Sequence, residues 1–491
     1  MNDLSVTASV MQQSADAFQP FQQYSYEQRA VLLETIAGNI ESLGDALLEK
    51  AKEETNLPLP RLQGERGRTT MQLRMFAQML REGSWLEACI DTAIPDKTPP
   101  KPDIRKLLVP IGPIVVFGSS NFPFAYSTAG GDTASALAAG CPVVVKAHPA
   151  HLQTSTMVAA AISEALHFLN MDKHIFQHVT ETSFEAGKAL VQNEHTAAVG
   201  FTGSFSGGKA LYDYAAARKK PIPVFAEMGS VNPVVLLPDA LEKNAATLAK
   251  QYAGSITLGA GQFCTNPGIL LAIESPSLHL FLEALSGEIQ AIAPAKMLHA
   301  GIYKAYQQKM EKAMAEKNIS LLAQSSGNAN EMEAIPTVAK VDGKTFLSNP
   351  LLQEEIFGPY SLVVACKDEA ALAEAWKSLE GQLTTTLMGT DKDFSTYSSL
   401  LKIAPQIAGR IVFNGVPTGV EVCPSMVHGG PFPASTDARF TAVGIHAVKR
   451  WVRPLSYQNC PDSFLPDALK NENPLGILRL VNNAWKKDAL G

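Results

Sequence analysis

The strongest constraint on this chain is an alternation that starts after residue 110, where short continuous apolar runs take turns with stretches of helical texture. The first set reads IVVFG (114–118), PVVVKAH (142–148), a run at 175–179 and AAVGFTG (197–203), with Ala-rich or amphipathic segments between them to 169, 192 and 217. A strand that is apolar throughout has no face to give to water, so both faces must be covered, as in a parallel sheet between helices. Right-handed crossovers then predict a doubly wound, nucleotide-binding α/β layer. A second set, VNPVVLLP (231–238), GILLAI (268–273), YSLVVAC (360–366) and GRIVFN (409–414), predicts a second α/β domain. Ahead of both, 27–53 and 62–82 carry helical periodicity, broken by Pro58 and Pro60. Pro95, Pro99, Pro100 and Pro102 read as an extended linker, and KRWVRPLSYQ (449–458) as a late strand returning to the first domain or reaching a partner. The expected division is 1–230, 231–425 and 426–491.

At 491 residues the chain exceeds one hydrophobic core. A net charge of −6, with no basic cluster, argues against nucleic acid or an anionic membrane as partner. No apolar run approaches a membrane span, and the opening residues lack the apolar core of a secretory signal. Six scattered cysteines without a C-x-x-C pair read as reduced thiols. A cytoplasmic protein is the expectation.

Several positions carry chemistry. Cys264, in LGAGQFCTNPG, falls on a Gly-rich turn between a helix and the strand GILLAI, where backbone amides can point at a reacting atom; most free cysteines are instead inert and buried. Cys89, Cys141, Cys366 and Cys423 lack that setting. Glu227 lies between two apolar runs, where partial burial would raise its pKa toward that of a general base; the plainer reading is an acid at the sheet rim. Asn121 follows IVVFGSS and could donate to an oxyanion or merely serve its own turn. Lys146 closes PVVVK at a strand's carboxyl end, where a cofactor would sit or where water would solvate it. GFTGSFSGG (200–208), with Gly203, Ser204 and Gly208, turns from strand into helix and offers free amides to a diphosphate, a weak signal taken alone.

Read in order, GPIVVFGSSNFPF, PVVVKAH, VGFTGS, AEMG, GAGQFCTNPG and LQEEIFGP resemble the aldehyde dehydrogenase superfamily from about residue 15 onward. The resemblance implies that Cys264 attacks the aldehyde, Asn121 and the Cys264 amide hold the oxyanion, and Glu227 activates the water that releases a thioester. It implies NAD or NADP as cofactor, with Lys146 at the adenosine ribose, Gly203, Ser204 and Gly208 near the diphosphate, Glu355 at the nicotinamide ribose and Phe357 beside the ring. It also implies a homodimer or homotetramer with a small oligomerisation segment, an aldehyde as small-molecule substrate and no metal. GERGRT (64–69), REGSW (81–85), the 414–444 segment and NPLGILRL (473–480) are similar to α-ketoglutaric semialdehyde (2,5-dioxopentanoate) dehydrogenases. Fatty-aldehyde dehydrogenases are the alternative, and a catalytically silent binding or structural protein is the alternative from another class. Pro149 stands where many NAD-preferring relatives carry a glutamate, which opens the site to NADP, although 151–200 holds no arginine to clamp a 2′-phosphate. A basic residue near 423–439 would favour the semialdehyde; Arg439 is a candidate, or else a surface ion pair.

Overall fold

The computed structural model describes residues 3–490; positions 1, 2 and 491 of the expected outer segments lie outside them. A five-stranded parallel sheet is ordered Phe176–Val179, Val143–Lys146, Ile114–Phe117, Ala198–Thr202, Val224–Glu227. The order reverses beside Ile114–Phe117, which is the doubly wound arrangement expected from the apolar runs. Because every strand is parallel, Phe117, Lys146, Val179, Thr202 and Glu227 all end on one edge.

The second sheet has seven strands, ordered Ser320–Gln324, Thr337–Asp342, Tyr360–Cys366, Ile269–Ile273, Val234–Leu236, Gln382–Met388, Ala408–Phe413, all parallel except the first. Alternate side chains go to opposite cores: Leu271 and Val364 pack on one face, Leu270 and Val363 on the other. That period-two division explains why these strands read as unbroken apolar runs.

The N-terminal region is helical to Glu82, but the span 27–53 is two helices, Tyr26–Ser42 and Gly44–Thr55, rather than one. The first is opened by a capping box in which Ser25 and Gln28 satisfy each other's backbone amides. Leu33, Ile36, Phe76 and Leu80 join Val116, Val143 and Trp451 in one core, so these helices cover the first sheet.

The proline-rich linker is also a correction. It connects two strands, Cys89–Asp91 and Ile104–Pro110, of a third sheet completed by Val452–Gln458, Arg479–Val481 and Ala484–Lys486. Prolines suit such a connection between strands, outside the ladder, where a missing N–H costs little. The late strand therefore pairs within its own chain, against Ile104–Pro110. Among the described residues no helix is long and apolar enough to cross a membrane.

Candidate active site

Strand Val224–Glu227 runs through Ser230 and Val231 straight into Val234–Leu236, so the carboxyl edge of the first sheet faces the amino edge of the second. Glu227 ends the first of these strands, while Cys264 and Glu355 lie just ahead of Ile269–Ile273 and Tyr360–Cys366. The site is built from carboxyl ends on one side and amino ends on the other.

The loop bearing Cys264 is forced into shape. Gly259, Ala260 and Gly261 take φ of 58°, 56° and 66° in succession. A Cβ on Gly261 would lie 2.2 Å from the Gly358 carbonyl carbon, so glycine is required there on both counts. Asn232, fully buried, donates through Nδ2 to the carbonyls of Cys264 (2.8 Å) and Asn266 (2.9 Å) and ties the loop to the sheet.

Half-buried Cys264 meets two other groups. Its Sγ is 3.6 Å from His428 Nε2, and that nitrogen is 2.9 Å from Glu227 Oε1. The three ligand-type atoms all lie within 4.8 Å of one another, a spacing one soft cation could bridge. His428 is carried by an irregular segment that runs back along the Glu227 strand: Met228 N–H donates to Ala434 O (2.9 Å), Thr436 N–H to Ala226 O (3.1 Å), and Glu227 bridges Ser435. Sequence reasoning missed His428, although it lies inside the 414–444 segment that carried the subfamily resemblance.

Burial alone would raise the Glu227 pKa, as expected from its apolar flanks. Instead the charge and hydrogen bond of His428, with smaller help from Cys264 and Arg68, outweigh burial and hold this carboxyl below its ordinary value. The expected direction is thus reversed by a partner the flanking sequence does not reveal. Cys264 moves the other way: burial and the neighbouring Glu227 charge push its thiol well above the usual range. The resting pair is therefore a thiol beside a carboxylate whose Oε2 has no hydrogen-bond partner.

Asn121 is buried, and its Nδ2 donates to the Gln262 carbonyl at 3.2 Å, two residues from Cys264. One amide hydrogen is thereby used and the other is left. Arg61 Nη2 donates to the Asn121 carbonyl at 2.7 Å and fixes its backbone. Arg439 points elsewhere: it is exposed and pairs with Asp437, Nε to Oδ1 at 2.8 Å, so it is a surface ion pair.

Of the residues expected at a cofactor, Lys146, Gly203 and Ser204 lie at the carboxyl edge of the first sheet, and Glu355 and Phe357 lie just ahead of a strand of the second. Ser204 accepts from Gly207 N–H (3.2 Å) and caps Phe205–Ala216, leaving Gly203 and the helix start exposed. Gly208 is buried, and a Cβ there would lie 2.7 Å from Met228, so it sets how closely helix and strand approach. Lys146 is 8% exposed, and burial lowers its pKa. Glu355 and Phe357 are half-buried; a Cβ on Gly229 would lie 2.4 Å from Glu355 Oε2, so the missing side chain makes the cradle for that carboxylate. Burial raises the Glu355 pKa to about 7. An exposed helix start and a buried lysine at strand carboxyl ends, with a sheltered carboxylate ahead of the facing sheet's strand, have the chemistry that a dinucleotide's phosphates and riboses call for.

The Aldehyde dehydrogenase family model matches residues 5–431, and the chain belongs to that family. It is 46% identical over 475 residues to an alpha-ketoglutaric semialdehyde dehydrogenase of Acinetobacter baylyi, covering 96% of this chain and 90% of that one. It is 48% identical over 467 residues to alpha-ketoglutaric semialdehyde dehydrogenase 2 of Azospirillum brasilense, covering 95% and 89%. Among solved structures, an apo betaine aldehyde dehydrogenase of Staphylococcus aureus superposes with a TM-score of 0.78 at 18% identity, covering 93% of this chain and 89% of that one. A Methanocaldococcus jannaschii glyceraldehyde-3-phosphate dehydrogenase complexed with NADP gives 0.77 at 20% identity, covering 93% and 94%. Both share the fold.

Proposed function

We propose that this enzyme oxidises α-ketoglutaric semialdehyde (2,5-dioxopentanoate) to 2-oxoglutarate with NAD or NADP. The observation that carries the substrate is the 46–48% identity across nearly the whole length of two dehydrogenases named for it.

In this reading the Cys264 proton passes to Glu227 and the sulfur bonds to the aldehyde carbon. The remaining Asn121 amide hydrogen and the Cys264 backbone N–H donate to the oxyanion, a pair of preorganised dipoles aimed where charge develops. A bound nicotinamide nucleotide supplies the hydride acceptor, and loss of hydride leaves an acyl thioester on Cys264. Glu227 releases the thiol's proton to solvent and, held ionised by His428, then takes a proton from water as its oxygen attacks the thioester carbon. The C–S bond breaks, the acid leaves, and the proton on Glu227 returns to the sulfur, restoring the thiol beside a carboxylate. Lys146 and Glu355 would hold the two riboses, Gly203 and Ser204 the diphosphate, and Phe357 the nicotinamide face. Pro149 presents no carboxylate to a 2′-phosphate, which supports use of both nucleotides. The outer edge of Val452–Gln458, unpaired among the described residues, supports assembly into a homodimer or homotetramer.

The test is steady-state turnover of 2,5-dioxopentanoate and of a long-chain aldehyde, each with NAD and with NADP. The expected result is a higher kcat/KM on 2,5-dioxopentanoate; a preference for the long-chain aldehyde rejects the reading.

A further inference from the structure

Around the Cys264 thiol stand charged side chains that the chemistry above does not use, and they are cationic. Arg68, on the helix Leu59–Glu82, donates from Nη2 to the Tyr126 hydroxyl at 3.1 Å, and its guanidinium carbon lies 5.3 Å from the Tyr126 ring centre. Arg410, on Ala408–Phe413, donates to the carbonyls of Gly419 (2.9 Å) and Pro417 (2.6 Å). Each also holds a buried Nε without any hydrogen-bond partner. Neither forms an ion pair within 4.0 Å among the described residues. The nearest acid on the Arg68 helix, Glu65, is turned to the backbone N–H groups of Phe124 (2.8 Å) and Ala125 (3.0 Å).

Sheltered guanidinium groups without a counter-charge are costly unless an anion completes them. Both act on the reacting centre: the Arg68 charge reaches Cys264 and Glu227, and that of Arg410 reaches Cys264 and Tyr126. Tyr126 is buried beside Arg68, its ring 5.9 Å from that of His428. Because its oxygen accepts from Arg68, its own O–H hydrogen remains free to donate. Arg61 also holds an unpartnered Nη1, but it lies over the rings of Phe122 (5.0 Å) and Phe263 (4.6 Å) with its Nη2 on the Asn121 carbonyl, so it serves the oxyanion side rather than Tyr126.

We infer that Arg68, Arg410 and Tyr126 form an anion subsite that binds the far carboxylate of the substrate while its aldehyde carbon meets Cys264. The inference deepens the proposed function and rests on its assignment of Cys264. A carboxylate accepts from planar guanidinium donors and a phenol at once, which an alkyl tail cannot do. The ligand class is a short ω-aldehyde acid, and a fatty aldehyde would leave these donors buried and unpaired.

The test measures kcat/KM for 2,5-dioxopentanoate and for pentanal, an uncharged aldehyde of the same chain length. It uses wild type, Arg68→Gln, Arg410→Gln and Tyr126→Phe, with nucleotide binding followed by protein fluorescence as the check of fold. The ratio of the two values should fall about 30-fold or more in Arg68→Gln, and by about tenfold in Arg410→Gln and Tyr126→Phe. Should Arg68→Gln fail to fold, Tyr126→Phe, which removes one oxygen, decides. A ratio unchanged within about twofold overturns the subsite, as does an equal loss on both aldehydes, which would assign Arg68 to the field around Cys264. If wild type ignores 2,5-dioxopentanoate but turns over succinic semialdehyde in an Arg68-dependent way, the substrate reading fails and the subsite stands.

Discussion

His428 Nε2 lies 2.9 Å from Glu227 Oε1, joining two residues 201 positions apart at the point where the thiol of Cys264 comes within 3.6 Å of the same nitrogen. Both His428 and Glu227 are almost wholly buried. One imidazole thereby sets the ionisation of the base and touches the nucleophile. In His428→Ala the carboxylate loses the partner that offsets its burial, so its pKa rises. A base works only when ionised, so the acid limb of the kcat–pH profile should move to higher pH. At neutral pH kcat should fall by about tenfold or more. An unmoved limb together with an unchanged kcat would show that His428 only fills space.

Glu227 itself is expected to separate the two halves of the reaction. Glu227→Gln keeps the size and one hydrogen-bonding oxygen but cannot take a proton from water. Without the Glu227 charge the Cys264 thiol ionises to solvent more readily, so at alkaline pH rapid mixing with aldehyde should still give a burst of reduced nucleotide near one equivalent per site, followed by turnover reduced about 100-fold or more. Trapped acyl-enzyme should appear by mass spectrometry on the peptide holding Cys264. Steady turnover at the wild-type rate would remove Glu227 from the role of base.

Glu355 gives a separate pH dependence, in binding. Its carboxyl is raised to about 7 by burial in the absence of nucleotide. Ribose hydroxyls donate to the ionised form and so pull that pKa down on binding. Below about pH 7 the nucleotide must therefore displace a proton, and its affinity should rise with pH until the group is ionised. Calorimetry in buffers of different ionisation enthalpy should detect proton release at pH 6 and little at pH 8.5, and Glu355→Gln should abolish the difference. Equal release at both values would contradict this role.

The legible part of the site is the part that borders regular structure. Asn121, Lys146, Ser204, Glu227 and Cys264 each sit next to an apolar strand, and a run of apolar residues marks where such a strand starts and stops. His428 has no such marker. It lies in a segment without periodicity, placed by bridges to Glu227 and Ala226 that form only once the two sheets have met. Arg68 was visible within GERGRT, yet a charge on an amphipathic helix reads as solvated, and only the ring of Tyr126 above it reveals otherwise. Arg439 lies in the same segment as His428 but faces water beside Asp437, a difference its sequence neighbours do not encode. Of the third sheet only the strand within 449–458 is legible, because three of its other strands have three residues each and its members come from both ends of the chain.

The same three groups that handle protons should also make the enzyme sensitive to soft divalent ions. A tetrahedral zinc bound by a thiolate and an imidazole separates sulfur from nitrogen by about 3.5 Å, and Sγ and Nε2 stand 3.6 Å apart with a carboxylate alongside. Binding requires the thiol to lose its proton, and burial beside Glu227 makes that loss difficult at neutral pH. Zinc inhibition should accordingly strengthen as pH rises, compete with aldehyde and reverse on adding a chelator. Cadmium, used as a spectroscopic substitute, should give a thiolate charge-transfer band that disappears in Cys264→Ala and weakens in His428→Ala. A band that persists without Cys264 would place the metal on another thiol. Inhibition that ignores pH would mean that the sulfur is already ionised, against the raised pKa that Glu227 and burial impose on it.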